Sequence, residues 1–415
     1  MLLSEDEQVS QAYKNGPLGS VPIDWEKTPF SELFVSFIEY TNDLDRFPLY
    51  SLTIEDGVTA KTERYERSHL VKKKNLYKVV RPNDFVYNPM NVRFGAIARY
   101  KGSSPVAVSG YYDVFSSVHE SDSVFMENFL TFAPIISYYN KVSTGSLIEK
   151  QRVHFSKFLK FAFPLPSLQE RKKIAAILST QDKVIELKEK LLAQKQQQKK
   201  YLMQQLLTGK RRLPGFGGEW KTIHLNEISC RIETKNTVGN NNVLTISAQY
   251  GLINQTEFFD KVIASDDKSN YYLLSKDEFA YNRSYSKGYP YGTIKRLKRY
   301  VQGVVSPLYI CFAVNKKLAS LDFLEQYFEA SIINREIQSI VQEGARNHGM
   351  LNVAVDDFFR IKITMPEIEE QKEIAKILST ADHEIDLLQK SIEAEKQKKK
   401  ALMQLLLTGK VSVRI

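Results

Sequence analysis

The chain has 415 residues, of which 43% are hydrophobic, 11% aromatic and 26% charged, a composition that excludes collagen, a coiled-coil rod and wholesale disorder and has room for more than one domain. Its two cysteines, Cys230 and Cys311, are too few for a disulfide framework or a four-ligand zinc site. A net charge of +10, from 58 basic and 48 acidic side chains, admits a polyanionic partner without demanding one.

The opening residues, MLLSEDEQVS, are acidic and lack the basic start and apolar core of a signal peptide. No apolar run is long enough to span a bilayer, so a soluble, cytoplasmic protein is expected. Residues 1–165 carry balanced charge and read as a mixed α and β domain with a strand over 85–87. The following Tyr87-Asn88-Pro89-Met90 reads as a turn.

Residues 166–210 are different in kind. They begin at Pro166, end at Gly209-Lys210, hold no glycine or proline between, and carry the basic excess of the first half of the chain. Ile174, Ile177, Leu178, Ile185, Leu192 and Leu202 fall at helical spacing, which predicts one long amphipathic helix. The Ser179-Thr180 pair leaves a kink open.

Residues 211–365 return to the globular pattern, with strands expected over 303–312 and 358–363 and a helix over 323–342. Residues 366–415 then repeat the helix. Positions 366–410 match 166–210 at 24 of 45 places, at a constant offset of 200 residues. The second stripe is Ile374, Ile377, Leu378, Ile385, Leu388, Ile392 and Leu402. Helices this long with polar stretches need a partner, and each repeat is the natural partner of the other. Antiparallel pairing would bring the acidic stretch 367–373 near the basic later half of the first repeat; sequence alone leaves parallel packing open.

The globular segments resemble each other more faintly. Asp84-Phe85-Val86-Tyr87-Asn88 answers to Glu278-Phe279-Ala280-Tyr281-Asn282, and Gly95-Ala96-Ile97 to Gly292-Thr293-Ile294. Val108-Ser109 answers to Val305-Ser306, and Phe125-Met126-Glu127 to Phe323-Leu324-Glu325, with offsets drifting from 194 to 198. The expected fold is therefore α+β: two similar mixed domains, 1–165 and 211–365, separated by two long coiled-coil-like helices in a pseudo-two-fold arrangement.

Catalytic patterns are missing from this reading. The six histidines are scattered, without a His-Glu-x-x-His motif or a neighbouring cysteine pair, and Gly209-Lys210 lacks the remainder of a phosphate-binding loop. A helix C-cap is the better role for that glycine. No active site and no metal site are expected in the chain. A nuclease built from scattered carboxylates and a scaffold joining two protein-binding domains stay open as other classes.

Both repeats share Ile-Ala-x-Ile-Leu-Ser-Thr and close on Leu-Met-Gln-x-Leu-Leu-Thr-Gly-Lys; the linker from Arg211 to Phe216 leads into Gly218-Glu219-Trp220-Lys221, and Val21-Pro22-Ile23-Asp24-Trp25 stands at the first domain's entry. This combination covers the whole chain and resembles the specificity subunit of type I restriction-modification enzymes. The resemblance implies that each domain reads one half of a split double-stranded DNA sequence and that the helices set the spacer. It implies as partners two methyltransferase subunits, which use S-adenosylmethionine, and motor endonuclease subunits, which use ATP and magnesium. A subunit serving a differently organised restriction-modification enzyme remains an alternative within that family.

Such a reader contacts phosphates with Lys and Arg and bases with bidentate polar groups. The candidates are Arg64, Arg67, Lys72, Lys73, Lys74 and Arg93 in the first domain. In the second they are Arg283, Tyr285, Lys287, Lys295, Arg296, Arg346, Asn347 and His348. Tyr87, Asn88, Tyr281 and Asn282 are shared by both domains and are expected to be structural.

Overall fold

Both stretches without glycine or proline are single helices of 39 residues, Leu168–Leu206 and Ile368–Leu406. At 1.5 Å per residue each is about 58 Å long. Helicity runs unbroken through the Ser-Thr pairs, and the Thr180 and Thr380 hydroxyls donate to the carbonyls four residues back, each at 2.8 Å. No second helix starts at either pair. Ser167 Oγ accepts from the Glu170 amide at the first helix start, and Gly209 and Gly409 follow the helix ends at φ +68° and +65°.

The computed structural model describes residues 13–61, 77–147, 150–247, 250–258, 267–285, 288–341 and 350–413. They form two compact units: Met1–Lys188 with Ser391–Ile415, and Glu189–Lys390. Each unit thus holds one globular domain, the start of the helix that follows it and the end of the other long helix.

In the first unit a four-stranded antiparallel sheet runs in the order Ile97–Arg99, Phe85–Tyr87, Asp113–Ser117, Phe34–Ser36. Period-two alternation sends Phe85 and Tyr87 into a core with Phe30, Phe115 and Phe158, and sends Val86 to a smaller core with Val80, Val106 and Val108. In the second unit the order is Thr293–Arg296, Phe279–Asn282, Ile310–Val314, Ser229–Arg231. Phe279 and Tyr281 enter the larger core there and Ala280 the smaller. The central strand pairs match to the ring: Phe85 on Phe115 and Phe279 on Phe312 each stack at 5.3 Å and 9°.

Each larger core is closed by both long helices. Ile174 and Leu178 pack with Leu406, Leu407 and Val413 in the first unit; Ile374 and Leu378 pack with Met203, Leu206 and Leu207 in the second. Ile177 and Leu402 lie beside the first core, and Ile377 and Leu202 beside the second. Ile185 and Ile392 are buried, while Leu192, Ile385 and Leu388 are half-buried. Part of the stripe read as a helix seam therefore serves the domains, because their aromatic cores need an apolar wall.

The pairing is antiparallel in each unit. Asp182 meets Lys399 at 2.6 Å and Lys188 meets Glu395 at 2.7 Å in the first. Lys195 meets Glu384 at 2.7 Å and Lys199 meets Asp382 at 2.5 Å in the second. The acidic stretch after Pro366 is met by Arg212, just past the first helix, whose guanidinium grips the buried Glu370 at 2.7 and 2.8 Å.

Three sequence expectations need correction. The 303–312 segment is two strands, Gln302–Val305 and Ile310–Val314, because Ser306-Pro307 opens a turn in which the Tyr309 amide reaches the Ser306 carbonyl. The 323–342 helix is two helices, Leu321–Glu329 and Asn334–Ile340, broken where Ser331 takes φ +59°. The 358–363 strand is the end of a helical turn, Val355–Phe359, followed by the strand Lys362–Met365. Adjacent Phe358 and Phe359 both face one core, which a strand's alternation forbids.

Candidate nucleic-acid interface

Of the candidate contacts, Arg64, Arg67, Lys72, Lys73, Lys74, Lys287, Arg346, Asn347 and His348 lie outside the described residues. The structure places the other five in two settings. Arg93 sits on the short turn Val92–Phe94, its guanidinium 4.3 Å from the centre of the half-exposed Phe94 ring and donating to Gln151 Oε1 at 3.0 Å. Tyr285 is exposed in the second unit.

Arg283, Lys295 and Arg296 engage partners within their own unit. Arg283 donates to the Leu308 and Val353 carbonyls and so ties two loops to the end of the Phe279–Asn282 strand. Lys295 pairs with Glu329, whose other oxygen accepts from the Tyr289 hydroxyl at 2.8 Å. Burial, with that carboxylate beside it, holds the Tyr289 phenol far above its ordinary range. Arg296, only 9% exposed, pairs with Asp322 at 2.6 Å and Glu325 at 2.9 Å.

Lys295 and Arg296 share a cleft of about 480 Å³ in the second unit with Lys199, Lys298 and Arg299. Glu325, Glu329 and Asp382 line it as well, and Asp322 and Glu257 beside it pair with Arg296 and Arg299, so five carboxylates match the five cations. Gln326 is buried in its wall, donates to Asp382 at 2.7 Å and leaves Oε1 without a partner among the described residues. An anionic surface docking there would have to compete with those carboxylates for the cations.

Tyr87, Asn88, Tyr281 and Asn282 hold backbone. The tyrosine hydroxyls donate to the Val153 and Tyr291 carbonyls at 2.7 and 2.8 Å. Asn88 accepts from the Met90 and Asn91 amides, and Asn282 from the Ser284 amide. A side chain on Gly292, at φ +82°, would strike the Asn282 carbonyl at 2.4 Å, so this tight return demands glycine.

That glycine opens a longer repeat than the three-residue match with Gly95-Ala96-Ile97. Gly95-Ala96-Ile97-Ala98-Arg99-Tyr100-Lys101 and Gly292-Thr293-Ile294-Lys295-Arg296-Leu297-Lys298 share glycine, isoleucine, arginine and lysine at the same spacing. The structure joins both to the matching glutamate. Glu127 takes Arg99 at 2.9 Å and Lys101 at 2.6 Å, and Glu325 takes Arg296 at 2.9 Å and Lys298 at 3.1 Å. Extending the comparison four residues past Ile97 and Ile294 finds this signal in sequence.

Among the described residues, no group of three or more His, Cys, Asp or Glu side chains is placed to hold a metal ion. Nor is any described helix long and apolar enough to cross a membrane.

Comparison with known proteins agrees with this architecture. The family described as the type I restriction modification DNA specificity domain matches residues 104–195 and 219–396. The MjaVIII type I restriction enzyme specificity subunit of Methanocaldococcus jannaschii is 25% identical over 294 residues, which cover 62% of this chain and 64% of that one. The match therefore spans less than two thirds of that relative's own length. The crystal structure of a type I restriction-modification S subunit from M. genitalium aligns with a TM-score of 0.54 at 13% identity, covering 92% of this chain and 96% of that one. A chain from a structure on complex assembly and conformational transition of the type I R-M system aligns with a TM-score of 0.53 at 13% identity, covering 94% and 99%. With two family segments covering more than half of its length, each running from a globular domain into one of the repeated helices, the chain belongs to the type I restriction-modification DNA specificity family.

Proposed function

We propose that this chain gives a type I restriction-modification complex its DNA sequence specificity, each globular domain reading one half of a bipartite target and the long helices setting the unread spacer. The observation that carries the reading is a common frame with different surfaces. The four-strand order and the phenylalanine stack recur in both units. Past the shared asparagine the residues leaving the central strand differ, Pro89-Met90 in one and Arg283-Ser284 in the other. A repeated scaffold with unlike loops suits two readers of unlike sequences.

In this reading two methyltransferase subunits dock on the chain and transfer methyl groups from S-adenosylmethionine to adenine, and motor endonuclease subunits using ATP and magnesium join them. The chain itself supplies position and discrimination. Long-read mapping of adenine methylation, with the gene intact and deleted in a host carrying the methyltransferase, tests the reading. Loss of one split motif is the expected result. Methylation unchanged at every motif, in a host where intact chain and methyltransferase co-purify, contradicts it.

A further inference from the structure

The Arg-Glu-Lys group that recurs in the two units asks for a reason beyond stability. Arg99 and Arg296 already secure the glutamates: their side chains are 13% and 7% exposed, and each bridges the edge strand to the helix behind it. Arg99 also reaches Asn83 Oδ1 at 2.6 Å. The lysines differ, with Lys101 66% and Lys298 58% exposed. An ion pair that open to water adds little to folding. Yet lysine stands at the same place, on the same glutamate, in two domains whose neighbouring loops have diverged.

A residue shared by two readers of different half-sites serves what those half-sites have in common. In duplex DNA that is the sugar-phosphate backbone. We infer that Lys101 and Lys298 are equivalent phosphate contacts, one per domain, and that Glu127 and Glu325 are positioning residues that hold each lysine against its domain until a phosphate replaces the carboxylate. The buried arginines keep each glutamate in place while its lysine leaves. In the second unit Lys298 opens onto the cleft where Lys295 and Arg299 also lie, each paired with a carboxylate of its own, Glu329 and Glu257. This inference rests on the DNA-reading function proposed above.

Binding of the full chain to a random-sequence duplex, measured over a range of salt, tests it. Replacing both lysines, K101A with K298A, is expected to reduce the slope of log affinity against log salt by about two, roughly one for each phosphate that is no longer neutralised. It should weaken all sequences alike, and arginine at both positions should restore the slope. Removing the competing carboxylates, E127Q with E325Q, should raise random-duplex affinity about three-fold per site while preserving the slope.

Both lysines are largely exposed, so the alanine variant is expected to fold. An unchanged slope in a folded K101A/K298A chain overturns the inference and leaves DNA reading standing. Duplex affinity unchanged while methyltransferase co-purification is lost also overturns it, and makes the group a protein-docking surface. A wild-type chain with no duplex affinity, alone or with its methyltransferase, overturns the DNA-reading function and this inference with it.

Discussion

A chain ended after Lys390 is expected to lose the fold of its first unit and keep that of its second. The deleted segment is last in sequence, but it completes the core of the first domain. Leu406 is fully buried and Leu407 and Val413 nearly so, all against Ile174, Leu178 and the aromatic cluster around Phe30 and Phe163. Cutting one such side chain to alanine costs about 2–5 kcal/mol. Losing three together reaches the whole stability of a typical domain, about 5–15 kcal/mol.

The second unit runs unbroken from Glu189 to Lys390 and loses none of its core residues. The two tryptophans provide the measurement, since Trp25 is 98% buried in the first unit and Trp220 lies beside the core of the second. A side chain added at Gly409 would come within 3.0 Å of the Trp25 ring, so the deleted segment covers that indole directly. In the truncated chain, Trp25 emission read in a W220F background should shift to the red, while Trp220 emission in a W25F background should not. Native emission from Trp25 would show that the first domain closes its core without the C-terminal segment.

Asp122→Ala is expected to destabilise the first unit by about 3–5 kcal/mol, because it leaves the Arg171 charge buried without its carboxylate. Asp122 and Arg171 are 3% and 8% exposed and meet at 3.1 Å. Burial raises the Asp122 carboxyl above its ordinary range despite Arg171, and lowers the Arg171 guanidinium despite Asp122. Among the described residues, Asp122 Oδ1 and Arg171 Nε find no hydrogen-bond partner, so the pair is incompletely satisfied.

The second unit solves the same junction with neutral groups. Gln371, at the repeat position of Arg171, accepts from the Ser320 amide at 2.8 Å and donates to the Pro366 carbonyl at 2.8 Å. Transplanting that solution as D122S with R171Q should recover most of the loss. Thermal or denaturant unfolding read at Trp25 decides the matter. A double variant as unstable as Asp122→Ala would mean that the cost comes from packing and not from the stranded charge.

The parts of this fold that sequence reveals are those governed by repetition and by long periodic patterns. The two long helices are legible because proline and glycine bracket stretches whose apolar spacing never breaks. The central strands are legible because Phe85 to Tyr87 and Phe279 to Tyr281 share a pattern. What escapes is set by contacts distant in sequence. Nothing near Leu406 says that it belongs in the core of a domain nearly 300 residues earlier. The helical turn at Val355–Phe359 is rich in β-branched and aromatic residues, and tertiary burial of adjacent rings overrides that local preference.

The candidate interface divides along similar lines. Arg283, Lys295 and Arg296 look free in sequence, because charge alone does not reveal the Leu308 carbonyl, Glu329 or Asp322 waiting for them. Lys101 and Lys298 are hidden for the opposite reason. Each is an ordinary surface lysine until the two domains are superposed by register and the shared glutamate appears.

The most direct test of the central claim, two readers on one repeated frame, is the methylation motif after exchange of a single domain. Residues 211–365 would be replaced by the corresponding domain of a specificity subunit with a different target, keeping both long helices, and adenine methylation mapped across the genome. The account predicts that one half of the motif changes while the other half and the spacer stay as they were. A motif altered in both halves, or an unchanged motif from a chain that still assembles and methylates, would contradict it.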